Sequence, residues 1–262
     1  MIYFVATPIG NLNDISLRAL ETLKNVQVIA CEDTRTSKVL LDKFEIKNKL
    51  LISYHKFNEQ ESSQNIIKLA SEGKDIAVIS DAGMPGISDP GNILTKKLVE
   101  AKIDFTVIPG ASALTTALVL SGFDSRNFFF AGFLPEKKVE KDKLLSQIST
   151  LSSTLIFYVK KDIQYLFEQL GNRKACLVKE LTKVFETKYY FSLLSLPEID
   201  ERGEFVLVVE GNNESLDFDS MTIQEHVLFY VNLGFSKNDA IKKVAKERGK
   251  SKNEIYMQVL NI

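Results

Sequence analysis

Two short runs concentrate the residue types that do chemistry. In Cys31-Glu32-Asp33-Thr34-Arg35, two carboxylates and a guanidinium follow the apolar Val28-Ile29-Ala30 directly. Such groups at a strand end can orient a polar substrate or accept its proton, which makes Glu32, Asp33 and Arg35 the candidate catalytic set. The competing structural account has Asp33 or Thr34 capping the next helix while Glu32 pairs with Arg35. The second run, Ser80-Asp81-Ala82-Gly83-Met84-Pro85-Gly86-Ile87-Ser88-Asp89-Pro90-Gly91, packs three Gly, two Pro and two Asp into twelve residues after the apolar Ile76 to Ile79. Gly permits positive φ and close backbone approach, and Pro fixes φ, so this composition builds a shaped loop that holds something. Asp89 and Pro90 read as the cap and first position of a helix. That leaves Asp81 to Gly86 for a ligand. His55, after a strand, and His226, in a helical pattern, read as structural residues.

The elements that carry these runs alternate. Ile2 to Ala6, Val26 to Cys31, Leu50 to Tyr54, Asp75 to Ile79 and Phe105 to Ile108 have strand length. Amphipathic helical patterns lie between them near Ile15 to Leu23, Ser37 to Phe44, Gln60 to Ser71 and Ile93 to Ala101. Asn58 with Glu61 has capping-box spacing. Alternation of this kind predicts a parallel sheet covered by helices on both faces, an α/β domain over residues 1–122. A second domain over 123–212 begins with a strand at Phe128 to Phe133. A helix at Glu136 to Ile148 and strands at Thr154 to Lys160, Lys174 to Glu180, Lys183 to Leu193 and Glu204 to Val209 follow, a mixed sheet with antiparallel pairs. Gly211-Asn212-Asn213 marks a boundary. Residues 220–262 then form a small module of three helices, Ile223 to Leu233, Lys237 to Arg248 and Lys252 to Val259, broken by Gly234 and Gly249.

Charge and composition narrow the function classes. With 262 residues, 45% hydrophobic and 26% charged, the chain has the make-up of a soluble globular protein, and its net charge of -1 makes no global case for nucleic acid or membrane. Cys31 and Cys176 lie in apolar runs without disulfide or metal spacing, and Met1 to Asn13 lacks the features of a signal peptide. The cytoplasm is the expected location. The uncharged stretch between Asp104 and Asp124 is interrupted by Pro109-Gly110 and reads as strand, turn and buried helix instead of a membrane span.

Four of the six Pro lie in three strand-end loops: Ala6 to Asn11, Ser80 to Gly91 and Pro109 to Ala113. Ligands of open α/β sheets bind outside the carboxyl ends of the strands, so three preformed loops there predict one cleft. None of the three carries Lys or Arg, and the two common phosphate-cradling signatures are absent. A strongly anionic ligand is disfavoured, and Asp81 suits a cationic or zwitterionic one. S-adenosylmethionine is one candidate among several.

Eight segments in this order carry a resemblance: TPIGNL at 7–12, RALETL at 18–23, ACEDTRTS at 30–37, ISDAGMPGISDPG at 79–91, PGASALTTALVLSGF at 109–123, GFLPEK at 132–137, KELTKVFE at 179–186 and GEFVLVVEG at 203–211. The chain resembles a branch of the tetrapyrrole-methylase superfamily, the bacterial small-subunit rRNA 2'-O-ribose methyltransferases that modify a cytidine of the decoding region. The resemblance implies a two-domain α/β fold that binds S-adenosylmethionine between the domains, a homodimer, and no metal. By motif it places Ile9, Gly10, Asp81, Gly83, Met84, Ser112 and Ala113 in the cofactor pocket, with Phe157, Leu181 and Val206 as wall residues. Two departures stand out: Val159-Lys160-Lys161-Asp162 and Tyr54-His55-Lys56 differ from the runs that relatives carry there. Three readings remain open: the rRNA methyltransferase, a tetrapyrrole-precursor methyltransferase, and a non-enzymatic RNA-binding module.

The C-terminal module speaks to the partner. From Ser220 to Ile262 there are seven Lys or Arg against four Asp or Glu, a net of +3. Lys242, Lys243 and Lys246 are the candidate phosphate contacts to small-subunit rRNA or the assembled subunit; the alternative is a solvated lysine-rich helix face.

Overall fold

The computed structural model describes residues 1–159, 163–195, 197–200, 202–212, 221–232 and 235–259. The chain divides into two compact units, Met1–Gly211 and Asn212–Ile262. The expected domains 1–122 and 123–212 thus stand together in the first unit, each around its own sheet. Residues 213–220, Gly234 and the Lys160-Lys161-Asp162 departure lie outside the described residues.

The first sheet consists of β1 (Ile2–Val5), β2 (Val28–Cys31), β3 (Leu50–Ser53), β4 (Ile76–Ile79) and β5 (Phe105–Ile108), in the order β3-β2-β4-β1-β5. All its pairs are parallel. Strands covered on both faces must be apolar at every position, and β2 and β4 are buried throughout. Side chains alternate between two cores. Ile29, Cys31, Ala77 and Ile79 pack under α1 (Leu17–Asn25) and α2 (Thr34–Lys43) through Ala19, Leu23 and Leu41. Val28, Ala30, Ile76 and Val78 pack under α3 (Glu59–Ser71) and α4 (Asn92–Glu100) through Ile66, Leu94 and Leu98, each helix residue contributing ~1.5–3 kcal/mol of burial. From β1 the chain leaves toward β2 on one side, and from β4 it leaves toward β5 on the other. The crevice between β1 and β4 is therefore the topological switch point, where open α/β sheets hold ligands.

Two helix starts differ from expectation. Asn58 precedes α3 without a side-chain cap bond. Its Oδ1 accepts from the His55 backbone instead, and its Nδ2 donates to the Ser53 carbonyl. Asp89 does not cap α4. Gly91 holds that position, and Oε1 of Glu59, from the neighbouring helix, accepts from the amides of Gly91 (2.8 Å) and Ile93 (3.1 Å). A long-range carboxylate satisfies the orphan donors that a local Asp was expected to take.

After α5 (Ala113–Ser121), the second sheet holds β6 (Phe128–Phe133), β7 (Thr154–Val159), β8 (Lys174–Lys179), β9 (Thr187–Ser192) and β10 (Phe205–Val209), in the order β6-β7-β10-β8-β9. The β6–β7 pair is parallel and the others antiparallel. One face packs Leu155, Phe157, Leu177 and Leu207 against α6 (Lys138–Ile148) and α7 (Ile163–Leu170), a helix that the sequence reading missed. The opposite face, through Ile156, Cys176, Val178, Val206 and Val208, covers Ala117 and Leu118 of α5 together with Ile9. The strand expected over Lys183 to Leu193 is shorter, because residues 180–186 form a loop with positive φ at Glu180 and Thr182.

The second unit packs α8 (Ile223–Asn232), α9 (Lys237–Glu247) and α10 (Lys252–Gln258) around Val227, Tyr230, Ile241, Val244 and Ile255. Ser251 and Glu254 form a full capping box at α10. No helix among the described residues is long and apolar enough to cross a membrane.

Candidate active site

The loops after β1, β2 and β4 are bonded to one another at the carboxyl edge of the first sheet. The amide of Thr7 donates to the Gly83 carbonyl (2.8 Å), and that of Gly83 to the Thr7 carbonyl (3.1 Å). The buried Thr7 hydroxyl donates to the Ser80 carbonyl (3.1 Å). Gly83 sustains this bridge at φ +81°, and a Cβ there would meet Ile9 Cγ2 at 3.3 Å. The loops after β2 and β4 are clasped by the Asp33 amide, which donates to Asp81 Oδ1 (3.1 Å). These bonds account for the composition of the glycine-rich run, which sits at the switch point and locks to both neighbouring loops.

Three carboxylates converge here. Burial, then the Asp81 charge, raises Glu32 above the usual carboxylate range; burial, then Asp33, raises Asp81. Burial, then Glu32 and Asp81, pushes Asp89 up to about 7. Asp33 behaves oppositely. It caps α2 by accepting from the Arg35 amide (2.8 Å), and it holds the Arg35 guanidinium at 3.1 and 2.7 Å, which keeps its carboxyl down near 2. The pair forms between Asp33 and Arg35, whereas the sequence had suggested Glu32 and Arg35. A carboxylate stabilised in this way is a poor proton acceptor, and a raised one is better matched to neutral pH.

The third loop closes the crevice. Gly110 comes so near β1 that a Cβ would stand 2.9 Å from Ala6 Cβ. Ser112 begins α5 without a side-chain cap bond. Leu114 in the first turn packs against the same apolar cluster as Tyr158, whose hydroxyl burial and then the Asp89 charge raise. Tyr158 therefore joins the second sheet to both α5 and the carboxylates. Its ring stands 5.0 Å from Phe130 and 5.3 Å from Phe133.

The residues expected around a cofactor separate into three groups. Ile9, Leu181 and Val206 share one apolar cluster, with Ala113 packed against it. Gly83, the half-buried Met84 and Asp81 belong to the loop after β4, and Ser112 stands at the start of α5. Gly10 has a steric role: a Cβ there would lie 2.7 Å from the Leu181 carbonyl and 2.6 Å from Thr182 Oγ1, so only glycine lets the first loop meet the second sheet. Phe157 is a correction. Strand parity turns its side chain into the core under α6 and α7, and its neighbours Ile156 and Tyr158 face the crevice. Asp89 and Tyr158 were not anticipated. Asp89 looked like a helix cap, and only the distant cap by Glu59 frees it. Beside the first loop, Thr7, Pro8, Leu12, Thr36, Val39, Leu40 and Asp81 line a hollow of about 270 Å³.

In the second unit, Lys242, Lys243 and Lys246 lie exposed on α9, opposite its buried Ala240, Ile241, Val244 and Ala245. Lys242 pairs with Asp239 (3.0 Å), and Lys243 stands 3.5 Å from Glu247 and 5.0 Å from the Tyr230 ring centroid. His226 is fully buried, as its structural reading required.

Comparison with known proteins meets this geometry at two levels. Several solved methyltransferases share the fold: a uroporphyrin-III-C-methyltransferase from Thermus thermophilus (TM-score 0.60, 20% identity, 80% of this chain and 93% of that one) and the methyltransferase CobJ (TM-score 0.64, 17% identity, 80% and 94%). Identity is higher to proteins named ribosomal RNA small subunit methyltransferase I. It is 41% for that of Halalkalibacterium halodurans (97% of this chain, 93% of the relative), 41% for Bacillus subtilis (98% and 92%) and 48% for Mycoplasmopsis pulmonis (78% and 93%). The family model of the Tetrapyrrole (Corrin/Porphyrin) Methylases matches residues 1–196, a span that contains every strand-end loop of the crevice, and the chain belongs to that family, in the branch of the ribosomal RNA small subunit methyltransferases I.

Proposed function

We propose that this protein transfers a methyl group from S-adenosylmethionine to the 2'-hydroxyl of a cytidine ribose in the decoding region of small-subunit rRNA. The observation that carries the reading is the set of interlocked loops at the switch point, in a chain 41% identical to rRNA methyltransferases over nearly its whole length. The residues present suit the cofactor. The crevice offers an apolar wall of Ile9, Leu181 and Val206, a glycine cradle at Gly83 that a Cβ would fill, and carboxylates for positive charge. Ile9, Gly83, Met84, Ser112 and Ala113 would hold the cofactor, with Asp81 facing its cationic part. When bound, S-adenosylmethionine supplies an electrophilic methyl carbon on a cationic sulfur.

The chain's own residues position and deprotonate. With the methyl carbon supplied in that way, Glu32 would accept the proton that the attacking ribose hydroxyl gives up. Orientation by rigid loops supplies much of the acceleration, and a positioned base adds about 10²- to 10⁴-fold. Glu32 suits that role better than Asp33, which Arg35 and the helix amides occupy. Asp89, half protonated near pH 7, keeps the cluster from bearing three full charges. We further place the protein in the cytoplasm as a homodimer, with the lysines of α9 on RNA phosphates. Labelled S-adenosylmethionine mixed with the protein and unmodified small subunits, free rRNA or a tetrapyrrole precursor tests the reading. Label in the subunits or rRNA supports it, and label in the tetrapyrrole alone replaces it with the pigment-precursor activity.

A further inference from the structure

Two phenylalanines of the first unit stand almost wholly in solvent: Phe57 is 95% exposed and Phe185 82%. Scattered apolar side chains on a surface are ordinary, but both of these ride on loops bonded firmly in place. Phe57 tips the turn after β3. There the Asn58 amide donates to the His55 carbonyl (3.0 Å), the His55 amide to Asn58 Oδ1 (2.8 Å), and Asn58 Nδ2 to the Ser53 carbonyl (3.1 Å). Its ring lies 6.1 Å from His55, which in turn acts electrostatically on Glu32. Phe185 tips the loop between β8 and β9. That loop is tied by the Lys183 amide to the Glu180 carbonyl (3.0 Å), by the Thr182 amide to Glu186 Oε2 (2.8 Å), and by the Asn11 amide of the first loop to Thr182 Oγ1 (3.1 Å).

These anchors put one ring beside the β3 end of the carboxylate cluster and the other beside the β1 loop. Three strand spacings separate β3 from β1 in the sheet, or roughly 14 Å at ~4.8 Å each. A ribose hydroxyl that enters the crevice between them must come from a nucleotide taken out of its stack, and the neighbouring bases then lack partners. Exposed aromatic rings on rigid supports are what such bases stack on, without regard to sequence. Lys56 stands exposed next to Phe57 and adds positive charge for the backbone.

We propose that Phe57 and Phe185 are stacking platforms for unpaired nucleobases of the RNA that flank the methylated nucleotide. The inference rests on the rRNA reading above. The backbones that carry the rings are already bonded in place, so little loop freedom is lost on contact. Since stacking involves no counterion, the contribution is independent of salt, unlike that of a lysine.

The test uses the full-length protein with Phe57→Ala, Phe185→Ala, and each position as Leu and Tyr. Affinity for a fluorescently labelled single-stranded RNA oligonucleotide is titrated over a range of salt. Calorimetry with S-adenosylmethionine, light scattering and thermal melting accompany each variant. Each Ala variant is expected to bind RNA roughly 5- to 150-fold more weakly with the salt slope unchanged, Tyr to restore binding, and Leu to fail. Cofactor affinity, mass and melting temperature should stay at the parent values. Unchanged RNA affinity overturns the proposal, as does rescue by Leu, which would mean a merely apolar contact. A fall in molecular mass on substitution also overturns it and assigns the rings to an interface between copies. Methyl transfer to small subunits by the parent is measured first; its absence would defeat the rRNA reading itself and is separate from the dependence of RNA affinity on the two rings.

Discussion

Replacing Asp89 with Asn separates the carboxylate cluster from a set of ordinary surface acids. In the folded chain Asp89 is half-buried beside Glu32 and Asp81, and its carboxyl rises from 3.8 to about 7. The folded state therefore holds a proton between those values that the unfolded state has released. Stability contributed by this group is fully present below about 3.8 and is lost as pH rises toward 7, the reverse of the usual salt-bridged Asp. At ~1.36 kcal/mol per pKa unit the rise bounds the loss at roughly 4 kcal/mol. Solvent screening of a half-buried group leaves on the order of 1–2 kcal/mol. Asn keeps the shape and cannot ionise, so its advantage over the parent should grow between pH 4 and 7 and level off above. Urea denaturation of both proteins at pH 5, 6, 7 and 8 measures this directly. Any constant offset reflects altered hydrogen bonding, and only the change with pH bears on the cluster. A difference that stays flat across the range would show that Asp89 titrates like a surface acid and refute the argument.

Three further perturbations address other parts of the molecule. Gly10→Val should cost about 1–3 kcal/mol in denaturant titration, because its side chain runs into the Leu181 carbonyl and Thr182; a neutral effect would mean that the first loop does not meet the second sheet closely. Replacing Lys242, Lys243 and Lys246 with Gln should flatten the salt dependence of RNA binding by about 0.7–0.9 log units per lost contact, and an unchanged slope would return them to a solvated face. In the second unit, His226 accepts from Arg248 Nε at Nδ1 (3.1 Å) and so donates from Nε2 to Glu247 (3.1 Å), while burial and then Arg248 lower its proton affinity below the ordinary 6.5. Its stability contribution is full above pH 6.5 and is lost as pH falls, so amide protection in α8 should drop between pH 7.5 and 5.5 in the full chain, and equal protection would contradict this.

What could be read from the sequence was what local chemistry determines. Doubly covered parallel strands must be apolar throughout, so Val28 to Cys31 and Ile76 to Ile79 announced themselves, and the Gly and Pro at their ends marked the loops. What remained hidden depended on partners far along the chain. Glu59 caps α4 from another helix, so Asp89 was assigned to a capping role that it does not fill. Phe157 and Tyr158 are adjacent in one strand, and nothing local says which of them faces the crevice; that follows from where α6 and α7 pack. Residues 183–186 read as strand because the exposed Val184 and Phe185 have strand-forming side chains, while the turn depends on positive φ at Glu180 and Thr182, residues without that habit. Of the acidic run, composition showed that chemistry could reside there, and only the bond of Asp33 to Arg35 distinguished the cap from Glu32.

The central claim is methylation of a ribose hydroxyl, and a 2'-O-methyl group removes the nucleophile that alkali needs to cleave the adjoining phosphodiester. Unmodified small subunits treated with the protein and methyl-labelled S-adenosylmethionine, followed by rRNA extraction and complete alkaline hydrolysis, should therefore yield the label in one alkali-resistant dinucleotide beginning with cytidine. Glu32→Gln should slow its appearance by about 10²- to 10⁴-fold while leaving cofactor affinity at the parent value. Label recovered in a mononucleotide would place the methyl group on a base, and no incorporation into rRNA at all would contradict the account.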